Sequence, residues 1–218
     1  MQASEAKQEA KSLREQRRER ELAARRADVI AAASAVFAEK GFEAAQMSEI
    51  AARAEVSTAS LYAMFAGKHE LYAEVITSVA VEVRDAVRAR VGAVSDSRER
   101  LLTVLDSLYA CWEQNQALLR IYARGTHGIP WRIREAMGES GVHLFDEFTA
   151  WVEELARDAQ REGHLAGLDA RAFSLALLGA ALTTASHWIE DAPERPLGEA
   201  AAGVRALFER VLMHAVQP

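Results

Sequence analysis

The sequence predicts an all-α fold, and three observations carry that expectation. Proline is absent before Pro130 and recurs only at Pro193, Pro196 and Pro218, so a long N-terminal stretch keeps every backbone donor a helix needs. Ala, Leu, Glu and Arg dominate the composition, and these are strong helix formers. Apolar side chains recur every three or four positions, whereas strand-like alternation over several residues is hard to find. Glycines punctuate the pattern: Gly41, Gly67, Gly92, Gly125/Gly128, Gly138/Gly141, Gly163/Gly167 and Gly198 fall between or near the ends of the periodic segments, which gives about nine helices. No fixed period repeats, which argues against a solenoid.

Half of the 218 residues are hydrophobic, 27% are charged and the formal net charge is −6, a balance that supports a sizeable core and excludes disorder along the whole length. The single cysteine, Cys111, cannot form an internal disulfide, and no Cys/His cluster has zinc spacing, so neither a metal nor a cofactor is expected and a reducing cytoplasm suits the chain. Met1-Gln2-Ala3-Ser4-Glu5 runs into a string of charges rather than an apolar segment, unlike a secretory signal. The longest charge-free stretch, 172–189, contains Ser174, Thr183, Thr184, Ser186 and His187 between Arg171 and Glu190. It reads as a buried helix rather than a membrane span, which needs about 20 mostly apolar residues.

Charge divides the chain. Residues 1–68 carry 11 basic and 10 acidic side chains, net +1, while 69–218 carry 15 and 22, net −7. Within the first part, residues 1–26 hold 8 basic against 5 acidic side chains, with Arg14, Arg17, Arg18, Arg20, Arg25 and Arg26 close together. A basic end on an acidic protein points to a polyanion partner for that end. Glu15, Glu19 and Glu21 interleave with the arginines, so a solvated helix laced with ion pairs is the alternative.

Residues 28–40 place Val29, Ala33, Val36 and Phe37 on one face, with Lys40 in the last turn and Gly41 at the C′ position. Ser48 is expected to cap a short helix over 49–54, with Glu49 in its first turn where the helix dipole favours an anion. Ser57 is expected to cap the next helix, 58–65, which puts Leu61 and Phe65 on one face and leaves Thr58, Ala59, Ser60 and Tyr62 around the rest. Two short helices joined by a tight turn make a helix-turn-helix, with Val29, Val36, Phe37, Ile50, Val56, Leu61 and Phe65 as its core. Small hydroxyl side chains at the start of the second helix let its backbone approach base edges in the major groove, and orphan N–H groups there can meet phosphate oxygens. Tyr62 and Lys68 can add phosphate contacts.

These residues resemble the tetracycline-repressor-like (TetR) family of bacterial transcription regulators. The resemblance is carried by Ile30-Ala31-Ala32-Ala33, Phe37-Ala38-Glu39-Lys40-Gly41-Phe42, Ile50-Ala51-Ala52-Arg53-Ala54, Val56-Ser57-Thr58-Ala59-Ser60-Leu61-Tyr62 and Phe65-Ala66-Gly67-Lys68-His69-Glu70-Leu71, about a quarter of the chain in the right order and spacing. It implies that Ser57, Thr58, Ala59 and Ser60 face the major groove and that Tyr62 and Lys68 hold phosphates, with Gln46 or Ser48 at a further phosphate position; Arg25 and Arg26, from the basic end, are expected DNA contacts as well. Three positions depart from the pattern. Glu55 stands where the family commonly has glycine, Ala45 or Gln46 where it often has threonine, and Ala63-Met64 where an aromatic or histidine pair is common.

Beyond Lys68 periodicity carries the reading. Leu71, Val75, Val79 and Val83 form a stripe on a helix from about Lys68 to about Gly92, which the resemblance implies links the reading head to an effector domain. Leu101, Leu105, Leu108 and Trp112 define the next stripe, and Val142, Phe145, Val152, Leu155 and Ala159 define a long one between Gly141 and Gly163. The stretch 169–190 is apolar nearly all round, so it is expected to be covered on more than one side. The last helix, 196–214, has a stripe of Val204, Leu207, Phe208 and Val211. The resemblance implies that these two helices form half of a four-helix homodimer interface; a single core that consumes both is the alternative.

Tyr109, Trp112, Arg120, Tyr122, Arg124, Trp131, Phe148, Trp151, Thr184 and His187 are candidates to line a ligand cavity, being aromatic groups interspersed with a few polar ones, although plain core packing explains each of them too. His143 and Glu147 are spaced to share a cation, but such a pair recurs on many helices as an ordinary ion pair. The expected organisation is a basic extension over 1–24, a helix-turn-helix domain over 25–70 and an effector-binding and dimerisation domain over 71–218. The expected function is a dimeric cytoplasmic repressor that binds a palindromic double-stranded operator and is released by a small-molecule effector, with no membrane partner. A constitutive DNA-binding protein and an all-α enzyme are the alternatives. Against the enzyme, there is no Gly-x-Ser-x-Gly, P-loop or dinucleotide fingerprint.

Overall fold

The computed structural model describes residues 2–116, 119–120, 123, 130–165, 167–191 and 194–214, with side chains over 14–116, 119–120, 123, 141–165, 167–191 and 194–213. Among them there is no strand. The helices are α1 (Gln2–Ala44), α2 (Met47–Arg53), α3 (Thr58–Met64), α4 (Lys68–Gly92), α5 (Ser97–Gln114), α6 (Pro130–Arg161), α7 (Ala170–Asp191) and α8 (Leu197–His214). Residues 116, 119, 120 and 123, between α5 and α6, are also helical. The chain divides into two compact units between Val75 and Ile76.

In the N-terminal unit, α1 runs for 43 residues and is broken near its end at Gly41, whose φ of 78° and ψ of 169° are non-helical. That left-handed φ costs an ordinary residue about 1–2 kcal/mol and glycine almost nothing. The core gathers Val29, Ala33, Val36, Phe37, Ile50, Ala51, Leu61, Phe65, Leu71 and Val75, all at most 3% exposed. The expected core is present except that Val56 is half-buried. Ala51, Leu71 and Val75 complete it.

The start of α2 corrects the expected cap. The helix begins at Met47, so Ser48 lies in its first turn, and the N-cap is Gln46, in extended geometry with no side-chain cap bond. The Gln46 carbonyl accepts from the amides of Glu49 and Ile50 at 3.1 and 3.2 Å. Burial of Met47, at 8% exposure, draws it into the helix, because an apolar anchor outweighs one cap bond worth about 1 kcal/mol.

In the C-terminal unit, α6 packs on α7, α5 on α8, and both α5 and α8 on α7. Leu101, Leu105, Val152, Ala156, Leu165 and Leu177 are fully buried in the shared core. Asp96 and Asp169 cap α5 and α7, accepting from the amides of Glu99 at 2.8 Å and Ala172 at 2.7 Å. Glu113 of α5 accepts from the Leu197 amide at 2.9 Å, so a neighbouring helix caps α8. The expected helix start after Gly141 is corrected: α6 runs unbroken through Gly138 and Gly141. An isolated glycine costs a helix only about 1 kcal/mol, too little by itself to end one.

Helix α7 is covered on more than one side, as expected, by α5, α6 and α8, and one strip of it stays open. Phe173, Leu177, Ala181, Ala185 and Trp188 are buried, while Leu175 is 47% exposed. Its length and mean hydropathy of 1.3 would suit a membrane span, but its buried face belongs to the common core.

Candidate nucleic-acid interface

Helix α3 is short, polar on most of its surface and fixed at both ends. Ser57 Oγ accepts the Ser60 amide at 3.0 Å, the cap expected of it, and pairs with the Ser60 hydroxyl at 2.8 Å. Leu61 and Phe65 are the buried anchors, at 0% and 1% exposure. Ser57, Thr58, Ala59, Ser60, Tyr62 and Ala63 are all exposed, Tyr62 to 53%. A helix held by two apolar contacts therefore offers its N-terminal end and one whole side to a partner.

The turn before α3 is built on Glu55, whose φ is +54°. The Glu55 amide donates to Ala52 O at 3.2 Å and the Val56 amide to Ala51 O at 2.9 Å, the paired closing bonds of a left-handed helix terminus. A glutamate occupies the position where glycine is easiest.

Several expected DNA contacts also hold the unit together. Lys68 Nζ donates to the carbonyls of Glu43 and Ala45 at 3.1 and 3.2 Å and lies 4.5 Å from the centroid of the Phe42 ring. It ties the start of α4 to the carbonyls between α1 and α2. Arg26 donates to Met64 O at 2.9 Å, sits 4.2 Å over the Phe65 ring and pairs with Glu74 at 3.2 Å. It thus clasps the end of α3 and the start of α4. Arg25, Gln46 and Ser48 are exposed.

Further contacts have no counterpart in the apolar periodicity. Arg53 pairs with Glu39 at 2.7 Å and Lys40 with Glu49, both joining α1 to α2. The Lys40 hydrogen bond holds the Glu49 carboxyl below its usual pKa, against weak desolvation. Phe42 meets Tyr72 and His69, each at 4.8 Å between ring centroids. Apolar spacing finds core positions, not ion pairs between helices, so these were legible only as charges and aromatics near helix ends.

In the C-terminal unit the expected ligand residues divide. Tyr109 is buried, at 3% exposure, and packs edge-on against half-buried Trp112 at 5.9 Å. Burial pushes the Tyr109 phenol up to about 12, with Thr184 facing it as a weak opposing partner, yet its hydroxyl makes no hydrogen bond of good geometry. Phe148 and Trp151, both half-buried, lie 5.5 Å apart, with the Arg88 guanidinium 5.4 Å over the Trp151 ring. Arg120 is half-buried. His187 is exposed and ion-paired with Asp191 at 2.7 Å, on the surface rather than in a cavity. Tyr122, Arg124 and the side chain of Trp131 lie outside the described residues. Burial also raises the Cys111 thiol pKa, which disfavours the reactive thiolate. Among the described residues no group of three His, Cys, Asp or Glu is placed to hold a metal; His143 and Glu147 are an exposed pair 3.8 Å apart.

A helix-turn-helix with an uncovered second helix, joined in one chain to a larger helical unit, defines a DNA-binding transcription regulator. Residues 29–75 match the model of the bacterial regulatory proteins of the tetR family. It is 28% identical over 180 residues to the HTH-type transcriptional activator FasR of Mycolicibacterium smegmatis, covering 82% of this chain and 77% of that protein. The solved structure of the transcriptional regulator FadR from Bacillus subtilis, in complex with stearoyl-CoA, has the same fold at a TM-score of 0.72 and 18% identity, covering 83% of this chain and 96% of that one. A TetR-like transcriptional regulator from Rhodococcus sp. RHA1 matches at a TM-score of 0.65 and 24% identity, covering 87% and 96%.

Proposed function

We propose that this protein is a homodimeric regulator that binds a palindromic operator through α3 and leaves it when an acyl thioester enters the C-terminal unit. The observation that carries the DNA reading is the bare face of α3. Thr58, Ala59 and Ser60 are small and exposed at its capped N-terminus, where a backbone can approach base edges closely. Tyr62 and Lys68 hold phosphates in this reading, with Arg25, Gln46 and Ser48 supporting them. Arg26 acts mainly by clasping α3 to α4.

The effector reading is supported by the buried Tyr109 hydroxyl. An unpaired polar group in a core costs about 1–3 kcal/mol, and a ligand that hydrogen-bonds it recovers that. Trp112, Phe148 and Trp151 supply apolar surface for a chain, and the FadR structure of the same fold carries stearoyl-CoA. The dimer reading is supported by exposed apolar side chains on two adjacent helices: Leu175 of α7, and Leu207 and Met213 of α8, at 47%, 56% and 50% exposure.

In this reading the boundaries are a basic extension over 1–24, a DNA-binding domain over 25–70 and an effector and dimerisation domain over 71–218, in the cytoplasm. Ligand binding changes the separation of two α3 helices and spoils their match to successive major grooves, about 34–36 Å apart. A near-complete switch needs a preference of about 5.5 kcal/mol for the released form.

Selection of bound duplexes from a random pool tests the DNA reading. A recovered two-fold symmetric site supports it; recovery of no preferred sequence rejects it. Titration of the bound complex with stearoyl-CoA tests the effector, and undiminished binding at saturating ligand rejects an acyl thioester. A reporter driven from the recovered site decides the sign of regulation: expression that rises when the gene is deleted marks a repressor, and expression that falls marks an activator, as FasR is named.

A further inference from the structure

The N-terminal part of α1 carries a row of arginines of which the DNA reading above uses only Arg25. Arg14, Arg18 and Arg25 are exposed and spaced four and seven residues apart, which puts them on one face of a helix. The same spacing continues into Val29, Ala32 and Val36, buried in the N-terminal core. The stripe is thus the outward extension of the face that packs the DNA-reading unit. Glu15 and Glu19 each follow an arginine of the stripe by one residue and so lie about 100° round the helix. Glu21 lies on the stripe's own face, between Arg18 and Arg25, and is paired with Arg17 at 2.9 Å. The face therefore carries Arg14, Arg18 and Arg25 against Glu21 and Asp28, with Arg17 drawn to its edge by Glu21.

We infer that this segment is a helical arm that grips the phosphate backbone of operator DNA outside the bases read by α3. The inference rests on the DNA-binding reading of the same unit. Arg14 lies 15 positions before Val29, about 22 Å along a regular helix, so the arm reaches beyond the helix-turn-helix by a good part of one DNA turn. It departs from the unit where Arg26 clasps Met64 and Glu74, at the end of α3 and the start of α4. The assigned phosphate contacts, Tyr62 and Lys68, belong to those two helices.

Charge complementarity selects the partner. A guanidinium row suits phosphates, which it can hold bidentately, and most of the chain is acidic. Over 14–28 the one large aliphatic side chain is Leu22, 52% exposed. A bilayer or a partner helix would require an apolar stripe in its place.

The test compares the full-length protein with R14Q/R18Q and with R14K/R18K on two duplexes. One contains only the site recovered by random-pool selection; the other adds about ten base pairs, one helical turn, of unselected sequence on each side. The wild type is expected to bind the longer duplex more tightly and with a steeper salt dependence. R14Q/R18Q is expected to lose that advantage, with the slope falling by about 0.9 for each lost phosphate contact, while its binding to the short duplex stays unchanged. R14K/R18K is expected to keep most of the effect, because charge carries it. Specific binding with the same slope and no length dependence in wild type and R14Q/R18Q overturns the arm and leaves the α3 reading standing. A wild type that selects no sequence overturns both. Unchanged helical circular dichroism in R14Q/R18Q separates a lost contact from a lost fold.

Discussion

Glu55 holds a left-handed backbone without the freedom of glycine. Its φ of +54° costs an L-residue about 1–2 kcal/mol, partly offset in a glycine variant by the larger entropy of the unfolded chain. Glu55→Gly is therefore expected to stabilise the protein by about 0.5–1 kcal/mol, read as a higher midpoint in urea at unchanged m-value. A lower midpoint would mean that the Glu55 side chain does more than the turn requires. The end of α6 is the control. Gly163 has φ +89°, with its amide on Gln160 O at 3.0 Å and the His164 amide on Ala159 O at 2.9 Å, so Gly163→Ala is expected to destabilise by about 1 kcal/mol or more. Lys68 differs in kind because one ammonium serves two purposes. An ammonium has three donors, and two carbonyls engage Nζ, which leaves one for a phosphate. Lys68→Ala should therefore lower stability and weaken binding to every duplex alike, whereas changes at Thr58 or Ser60 should alter which bases are preferred, since phosphate contacts carry no direct sequence code. A Lys68→Ala protein of full affinity and changed preference contradicts that division.

At the scale of elements, the legibility of the fold follows the strength of each apolar period. Helices α3, α4, α7 and α8 fall within a residue or two of the bounds their stripes and caps predict, and α5 contains its expected stripe, because Leu61, Leu71, Leu101, Leu177 and Phe208 mark faces that must be buried. The starts of α2 and α6 differ from the expected ones because a polar or flexible residue does not by itself bound a helix: at α2 the burial of Met47 sets the start, and α6 continues through Gly138 and Gly141. Of the interface, the Ser57 cap and the exposed Thr58–Ser60 edge were legible. The clasps of Arg26 and Lys68 were not, since they join residues 38 and 23–25 positions apart, a distance no local pattern reports. Tyr109 shows the same limit, for its aromatic character was visible and its unpaired hydroxyl was not. Tyr109→Phe is expected to leave stability unchanged or raise it by about 1 kcal/mol at neutral pH, because it removes a buried donor that pairs poorly. If the hydroxyl meets the effector, the same variant binds stearoyl-CoA more weakly. The pH dependence has a fixed sign. With the phenol at about 12 against an ordinary 10.0, folding favours the protonated form, so stability is full below pH 10 and falls as pH rises toward 12. Absorbance titration of phenolate should show one late-ionising tyrosine in the native protein that is missing from Tyr109→Phe.

At the scale of the whole molecule, the consequence of the exposed apolar residues is avidity. Leu175 recurs with Ala172, Ala176 and Thr183 at three- and four-residue spacing on the uncovered side of α7, and all four are exposed. On α8, which packs against α7, Ala206, Leu207 and Met213 are exposed too, Ala206 and Met213 seven residues apart on one face. Single exposed leucines are ordinary; in the proposed dimer, Leu175 of α7 and Leu207 of the adjoining α8 form the apolar centre of the contact face. On the proposed two-fold pairing, each palindromic operator would meet two α3 helices on one body, so the second half-site would be met at an effective concentration in the millimolar range and avidity would rise by about 10²–10⁴. Charging the face should remove that gain without disturbing the core, since the side chains changed are at the surface. Leu175→Arg/Leu207→Arg is therefore expected to sediment as a monomer with native helical content and to bind the selected palindrome about 10²–10⁴ times more weakly. Its affinity for an isolated half-site should equal that of the wild type. A variant that still sediments as a dimer places the two-fold contact elsewhere. A clean monomer that retains full affinity for the palindrome shows that operator binding needs no dimer.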